Sequence, residues 1–348
     1  MKKNKLWIML LVFMMTFSLL AGCGGNDAPA DEPEPEPADD AEETAEAPAD
    51  EPEEDVEIDI IVGFGAGGSN DLAARYMAEA LREHGIIANV VNMPGGMGTE
   101  AAYYMTQQRP DANMFFWSQA MTLIFEPAID DRGFTIDDFV PVGMLASPTF
   151  SLGSRAEAPW SDWDELIEYI QENPGEVSVG GQGEGSMMHF YLTRMLPPDE
   201  LDYIYTAFAG GADVSLNLTG GHVDLGHLSL AAARPLHEEG DMTVLVNTQV
   251  LMDRDPLMPD IPNITEVSDA PAEPHSISLF AIPGTDEALI DRISKAMEAV
   301  AQDEKLQENY FNSGLIAHYL NPEETLDFYM QIQEEMVPVF QEWHQTID

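Results

Sequence analysis

Residues 57–82 constrain the fold more than any other stretch. Glu57-Ile58-Asp59-Ile60-Ile61-Val62 has the apolar, β-branched character of a strand. Gly63 to Asn70 is a glycine-rich turn, and Asp71 to Arg82 follows with Leu72, Tyr76, Met77, Ala80 and Leu81 on one helical side. A strand entering a helix through glycines is the start of a βα unit, which commits the chain to a sheet flanked by helices. It also makes an anion site: a helix N-terminus carries unpaired N–H groups and the positive end of the dipole, and glycines let a ligand approach the backbone. The arrangement recurs downstream. Val177-Ser178-Val179 predicts a short strand, Gly180 to Gly185 a second glycine turn, and Ser186 to Leu196 a helix with Met187, Met188, Tyr191 and Met195 for packing. The alternative is that both turns are only tight connections.

Strands and helices alternate through the rest of the chain. Strands are predicted at 86–91 (ended by Pro94-Gly95-Gly96), 113–117, 141–152 running towards Ser154, 202–206, 223–225 and 276–282, and helices at 99–107, 162–171, 210–218, 286–302 and 322–343. This order predicts an α/β protein of two domains sharing a cleft. The first is made of 57–155 plus 277–348 and the second of 156–276, with crossings near Ser154 and Ser276 acting as a hinge.

The N-terminus has the three parts of an export signal over 1–22: Lys2, Lys3 and Lys5, an apolar run from Leu6 to Leu20, and small residues before a cysteine. The apolar run is short against the ~20 residues that span a bilayer. Leu20-Ala21-Gly22-Cys23 resembles a bacterial lipobox, which implies cleavage before Cys23 and lipid on its sulfur. An ordinary N-terminal membrane anchor with a chance cysteine is the competing reading. Cys23 is the only cysteine, so no disulfide supports the exported domain. Residues 23–56 are mostly Ala, Pro, Glu and Asp and form an acidic tether, too polar to bury a core. The expected location is extracytoplasmic, on the outer face of the cell membrane.

After Asp59 there are 46 acidic against 11 basic residues, a balance of −35. That excludes nucleic acid and acidic lipid surfaces as partners of the folded part. Acid excess of this size points to a high-salt or alkaline habitat, where ions screen self-repulsion.

Gly63, Gly65 and Gly68 also match a dinucleotide fingerprint. That motif requires an acid near the end of the second strand, where this chain has Val91-Asn92-Met93, so no cofactor is expected. No Gly-x-Ser-x-Gly or His-Glu-x-x-His motif occurs, and His222 and His227 lack neighbours for a metal site. Asp71 fits a helix-start acid or an acceptor for ligand hydroxyls. His189, in the first turn of its helix, fits a packed or capping residue or a ligand contact. Asp224 fits a strand-end acid, and the methionines fit core filler.

The segment Ile61 to Leu81 resembles the opening of the Bug family, extracytoplasmic receptors of tripartite tricarboxylate transporters. The resemblance continues at Val91 to Gly98, Arg109-Pro110-Asp111, Glu126-Pro127, Gly183 to His189, Phe208 to Ala212 and Gly220 to Asp224. It implies a two-domain, periplasmic-binding-protein-like (type II) fold that closes on a small di- or tricarboxylate and works with integral membrane subunits. It further implies ligand contacts from Gly65, Ala66, Gly67, Gly68, Ser69 and Asp71, from Gly183, Gly185 and Ser186, and from a wall at Phe208, Gly210 and Gly211. Ser118 and Gln119 match a position that commonly lines the cleft. Two departures stand out: Gly63 replaces a usual proline, which makes the first turn looser, and Glu184 places an acid in the second. A ligand sensor signalling to a membrane partner, and an enzyme using the same cleft, are the other functions open to such a fold.

Overall fold

The computed structural model describes residues 54–347. The export signal, Cys23 and the tether as far as residue 53 lie outside the described residues. Glu54 to Val56 belong to the body: the Arg292 guanidinium donates to the Glu54 carbonyl and the Val56 amide to that of Gly85.

The strands are β1 (Val56–Val62), β2 (Ile86–Asn92), β3 (Met114–Gln119), β4 (Val140–Pro148), β5 (Phe150–Arg155), β6 (Ser178–Gln182), β7 (Ile204–Phe208), β8 (Leu225–Ser229), β9 (Met242–Asn247), β10 (Ile277–Ala281) and β11 (Leu315–Leu320). The helices are α1 (Ser69–Leu81), α2 (Thr99–Thr106), α3 (Glu126–Ile129), α4 (Trp163–Glu172), α5 (Met187–Met195), α6 (Gly211–Thr219), α7 (Leu230–Glu239), α8 (Ile264–Val267), α9 (Glu287–Val300), α10 (Glu304–Asn312), α11 (Pro322–Glu335) and α12 (Val337–Ile347). One sheet has the order β11-β4-β10-β3-β1-β2, and the other β7-β6-β8-β5-β9. In the first, β1 runs parallel to β2 and β3, while β10 and β11 run antiparallel to their neighbours. No helix among the described residues is long and apolar enough to cross a membrane.

Strand alternation decides which face meets which helix. Ile58, Ile60 and Val62 of β1 join Ala73, Ala74, Met77 and Leu81 of α1 in one core, whereas Ile61 faces a second core on the opposite side. That second core includes Phe125, Met187, Phe190, Tyr191 and Phe340, so α5 of the second sheet's layer and α12 join it around Phe125, whose ring meets those of Tyr191 and Phe340.

The strand expected at 141–152 is instead two strands in different sheets. β4 ends at Pro148, and the chain changes sheet at Thr149, which is fully buried. The Thr149 hydroxyl bonds to the Asp255 carboxylate and accepts from Gln249 Nε2 at 2.9 Å, while its carbonyl accepts from the Leu230 amide at 2.8 Å. Beside this crossing, the buried Glu273 carboxylate lies 2.9 Å from His227 Nε2 and 2.6 Å from His275 Nε2. The Phe150 ring packs against both imidazoles.

Other differences have local causes. The sequence pattern predicts no elements over 230–247, where α7 and β9 form; Pro235 inside α7 masks its helical character. The helix expected at 322–343 breaks between α11 and α12, where Pro338 has no N–H to continue the ladder.

Candidate functional site

The first glycine turn is held from beneath and open above. Asp71 is buried, at 2 % exposure. Its carboxylate accepts from the Gly67 amide (2.8 Å), Arg75 Nε (3.0 Å) and Asn92 Nδ2 (2.8 Å). Asn92, at the end of β2, also donates to the Phe64 carbonyl at 3.1 Å. Burial works against the charge on Asp71, but hydrogen bonds from Arg75, Gly67 and Asn92 hold its carboxyl below the usual range. Trp117 Nε1, near the end of β3, donates to the Asn70 carbonyl at 3.0 Å. Asp71 is thus engaged in shaping the turn. Asn92, Arg75 and Trp117 are the supporting residues that sequence reasoning missed; Asn92 lies inside a matched motif but has no chemistry that marks it.

Above this support, Gly65, Ala66, Gly67, Gly68 and Ser69 are all exposed. Helix α1 starts at Ser69 after Gly68 at the N-cap position, and no side chain caps its first amides. Gly67 has φ +85°, and nothing lies within 4 Å of a Cβ placed on it. Gly63 does not loosen the turn: a Cβ there would fall 2.8 Å from the Gly98 Cα, so two glycine backbones are in contact.

The second turn is more self-contained. The Gly183 amide donates to the Phe208 carbonyl at 3.0 Å, and the Gly185 amide to His189 Nδ1 at 3.2 Å. Ser186 caps α5, its hydroxyl accepting from the His189 amide and donating to the Gln182 carbonyl at 2.6 Å. His189 is buried, stacked on Tyr205 with ring centroids 3.8 Å apart, and edge-on to Trp343 of α12 at 5.2 Å. Burial lowers its pKa, opposed by the Glu184 carboxylate. Glu184 itself is exposed, where solvent screens its charge.

The third wall meets the second turn. Gly211 lies close enough to Gln182 that a Cβ on it would be 3.7 Å from Nε2, and Phe208 covers Gly180. Helix α6, entered through Gly210, has no side-chain cap. Gln119 is half-buried at the end of β3, but Ser118 is only 1 % exposed, paired in register with Ser278 inside the sheet. Among the described residues no hydrogen bond joins the first turn to the second. A cavity of about 400 Å³ opens elsewhere, between residues 249–253 and α11, and none of the expected site residues lines it. The first glycine turn therefore presents an open backbone surface, whereas the Gly183 and Gly185 amides of the second are already engaged within the protein.

Comparison with known proteins gives this geometry a context. The family model described as tripartite tricarboxylate transporter family receptor matches residues 72–343. A UPF0065 protein of Bordetella pertussis is 27 % identical over 286 residues, 81 % of this chain and 88 % of that one. Among solved structures, the periplasmic binding protein BugD is 24 % identical with a TM-score of 0.65, covering 82 % of this chain and 97 % of its own. MatC from Rhodopseudomonas palustris, solved with malate, is 24 % identical with a TM-score of 0.62 over 83 % and 99 %. An R. palustris protein solved with adipate is 23 % identical with a TM-score of 0.67 over 82 % and 97 %. These structures share the fold of periplasmic solute-binding proteins.

Proposed function

The chain belongs to the tripartite tricarboxylate transporter receptor family, solute-binding proteins rather than enzymes, and we propose that it captures a small organic acid for delivery to membrane transporter subunits. The observation that carries the reading is the first turn: exposed residues 65–69 leading into the uncapped start of α1, fixed by Asp71, Asn92 and Trp117. A rigid array of N–H groups stabilises a carboxylate without reorganisation at the moment of binding. Binding of malate and of adipate by fold relatives supports a carboxylate ligand. In this reading the two sheets belong to the two lobes of the receptor. They close on the acid about the crossings at Thr149 and before Ile277, and the second turn and the Phe208–Gly211 wall complete the grip. Lipid on Cys23 keeps the receptor at the membrane where the transporter sits, with residues 24–53 as the leash. The anchor rests on the lipobox resemblance.

Thermal shift against a panel of mono-, di- and tricarboxylates tests the reading. A ligand at ~100 times its Kd adds about 2.7 kcal/mol to folding stability, on the order of 5 °C in a domain of this size. A panel in which no acid raises the melting temperature overturns the carboxylate assignment.

A further inference from the structure

The bond between the Gly185 amide and His189 Nδ1 sets the protonation state of the imidazole. Nδ1 accepts a proton donor at 3.2 Å, so it holds no proton of its own, and the neutral ring carries its hydrogen on Nε2. His189 lies in the first turn of α5, after the Ser186 cap, where the helix dipole further disfavours a cation. Tyr205 stacks on the ring at an interplanar angle of 6°, and Trp343 meets it edge-on, so the imidazole cannot turn away from Gly185 without breaking both contacts. Ile347, at the end of α12, closes over the same turn: a Cβ on Gly185 would fall 3.0 Å from its Cδ1.

We propose that His189 is a positioning residue for the second turn: its neutral ring holds Gly185 in the ligand-competent conformation, and protonation of the ring opens that turn and weakens ligand binding. The inference rests on the reading of the glycine turns as the ligand site. A protonated imidazole presents N–H at both nitrogens, so Nδ1 and the Gly185 amide become two donors facing each other with no acceptor between them. Gly185, at φ +74°, has the freedom to swing away. The charged and titratable groups around the ring are Glu184 on the turn, Tyr205 on β7 and His344 on α12. Glu184 favours the protonated ring. Burial pushes the Tyr205 phenol well up, so it stays neutral throughout. His344 approaches Gly185 from the other side, with its Cε1 3.9 Å from a Cβ placed there, so it is replaced as a control.

The test uses malate as the probe and calorimetric Kd values at about pH 7.5 and about pH 4.5, the lower value set well beneath the ordinary histidine range because burial lowers the His189 pKa. His189→Asn keeps an acceptor at the Nδ1 position but cannot take a proton. Between the two pH values, wild type should lose affinity at least about threefold relative to His189→Asn, because only the neutral-ring fraction binds. Dividing by the variant cancels malate's own titration and the general loss of negative charge on an acidic protein, which by itself tightens anion binding. His344→Gln should keep the wild-type profile. A wild-type profile that parallels His189→Asn overturns the inference, as does one abolished by His344→Gln. If wild type binds no carboxylate at pH 7.5, the functional reading fails instead. The positioning role is then read from the Gly185 amide ¹⁵N resonance, which should shift between those pH values in wild type but not in His189→Asn. A resonance that stays put in both overturns it.

Discussion

A carboxylate enclosed by protein destabilises the fold unless charge or hydrogen bonds compensate it. Glu273 is 2 % exposed and lies between the imidazoles of His227 and His275. Burial alone would raise its pKa; the two histidines outweigh burial and hold it at about 2 against the ordinary 4.5. A carboxyl depressed in the folded state contributes stability that is present above its unfolded pKa and lost as pH falls towards the folded value. For Glu273 that window runs from about pH 4.5 down to about pH 2, with an amplitude on the order of 3 kcal/mol. Glu273→Gln should unfold more readily in urea at pH 7, and its stability should fall less between about pH 5 and pH 3 than that of wild type. Parallel losses in the two proteins over that range would show that Glu273 titrates as an ordinary acid. Nothing in the sequence announces this cluster. Glu273 and His275 stand in a Pro- and Ala-rich stretch and His227 lies 46 positions before Glu273, so only the return of the chain beside β8 brings them together.

At the scale of elements, the turns were legible because their chemistry is local. A glycine run after an apolar strand and before an amphipathic pattern specifies a βα unit whatever surrounds it, and β1–α1 forms where that pattern places it; α5 also follows its turn, but β6 runs on through Gly180, Gly181 and Gln182, which pair with β7, so the second turn is shorter than the glycine run suggests. What could not be read was which amides remain available. Asp71 takes the Gly67 amide and His189 that of Gly185, and both bonds depend on side-chain directions set by tertiary packing. The change of sheet at Thr149 was hidden for a similar reason: Pro141 to Leu152 is strand-like on both sides of Pro148, and only pairing with β8 and β9 assigns its second part to the other sheet. Gly67 separates the turn's role as connector from its role as binder. Its φ of +85° and open surroundings mean that Gly67→Leu meets backbone strain of ~1–2 kcal/mol but no clash. The variant should stay folded, melting a few degrees lower. It should lose malate affinity at least about tenfold, because the new side chain stands over the α1 amides; that ratio equals about 1.4 kcal/mol. Calorimetric affinity equal to wild type would reduce the turn to a connector.

Across the whole molecule, charge dominates what the fold must tolerate. The 46 acidic residues after Asp59 face 11 basic ones. Several of the cations are already paired at the surface, as in Lys305–Glu79 (2.6 Å), Lys295–Asp291 (2.6 Å) and Arg254–Glu266 (2.7 Å). Exposed pairs of this kind contribute little, because solvent screens them and ordering two long side chains costs entropy, too little to offset the repulsion among the remaining acids. Repulsion between exposed like charges reaches about 30 Å at 0.01 M salt and about 3 Å at 1 M. The compact chain keeps those charges closer together than the unfolded one, so screening should favour the folded state. Melting of the folded part should therefore rise by at least ~5 °C between about 0.05 M and about 1 M NaCl and then level off, as the screening length falls below the spacing of the charges. Sulfate at the same ionic strength adds an exclusion effect that keeps growing with concentration, so the plateau in chloride is the mark of screening. A melting temperature that does not change across the chloride series would mean that the acidic surface carries no stability penalty, and the inferred high-salt habitat would lose its physical basis.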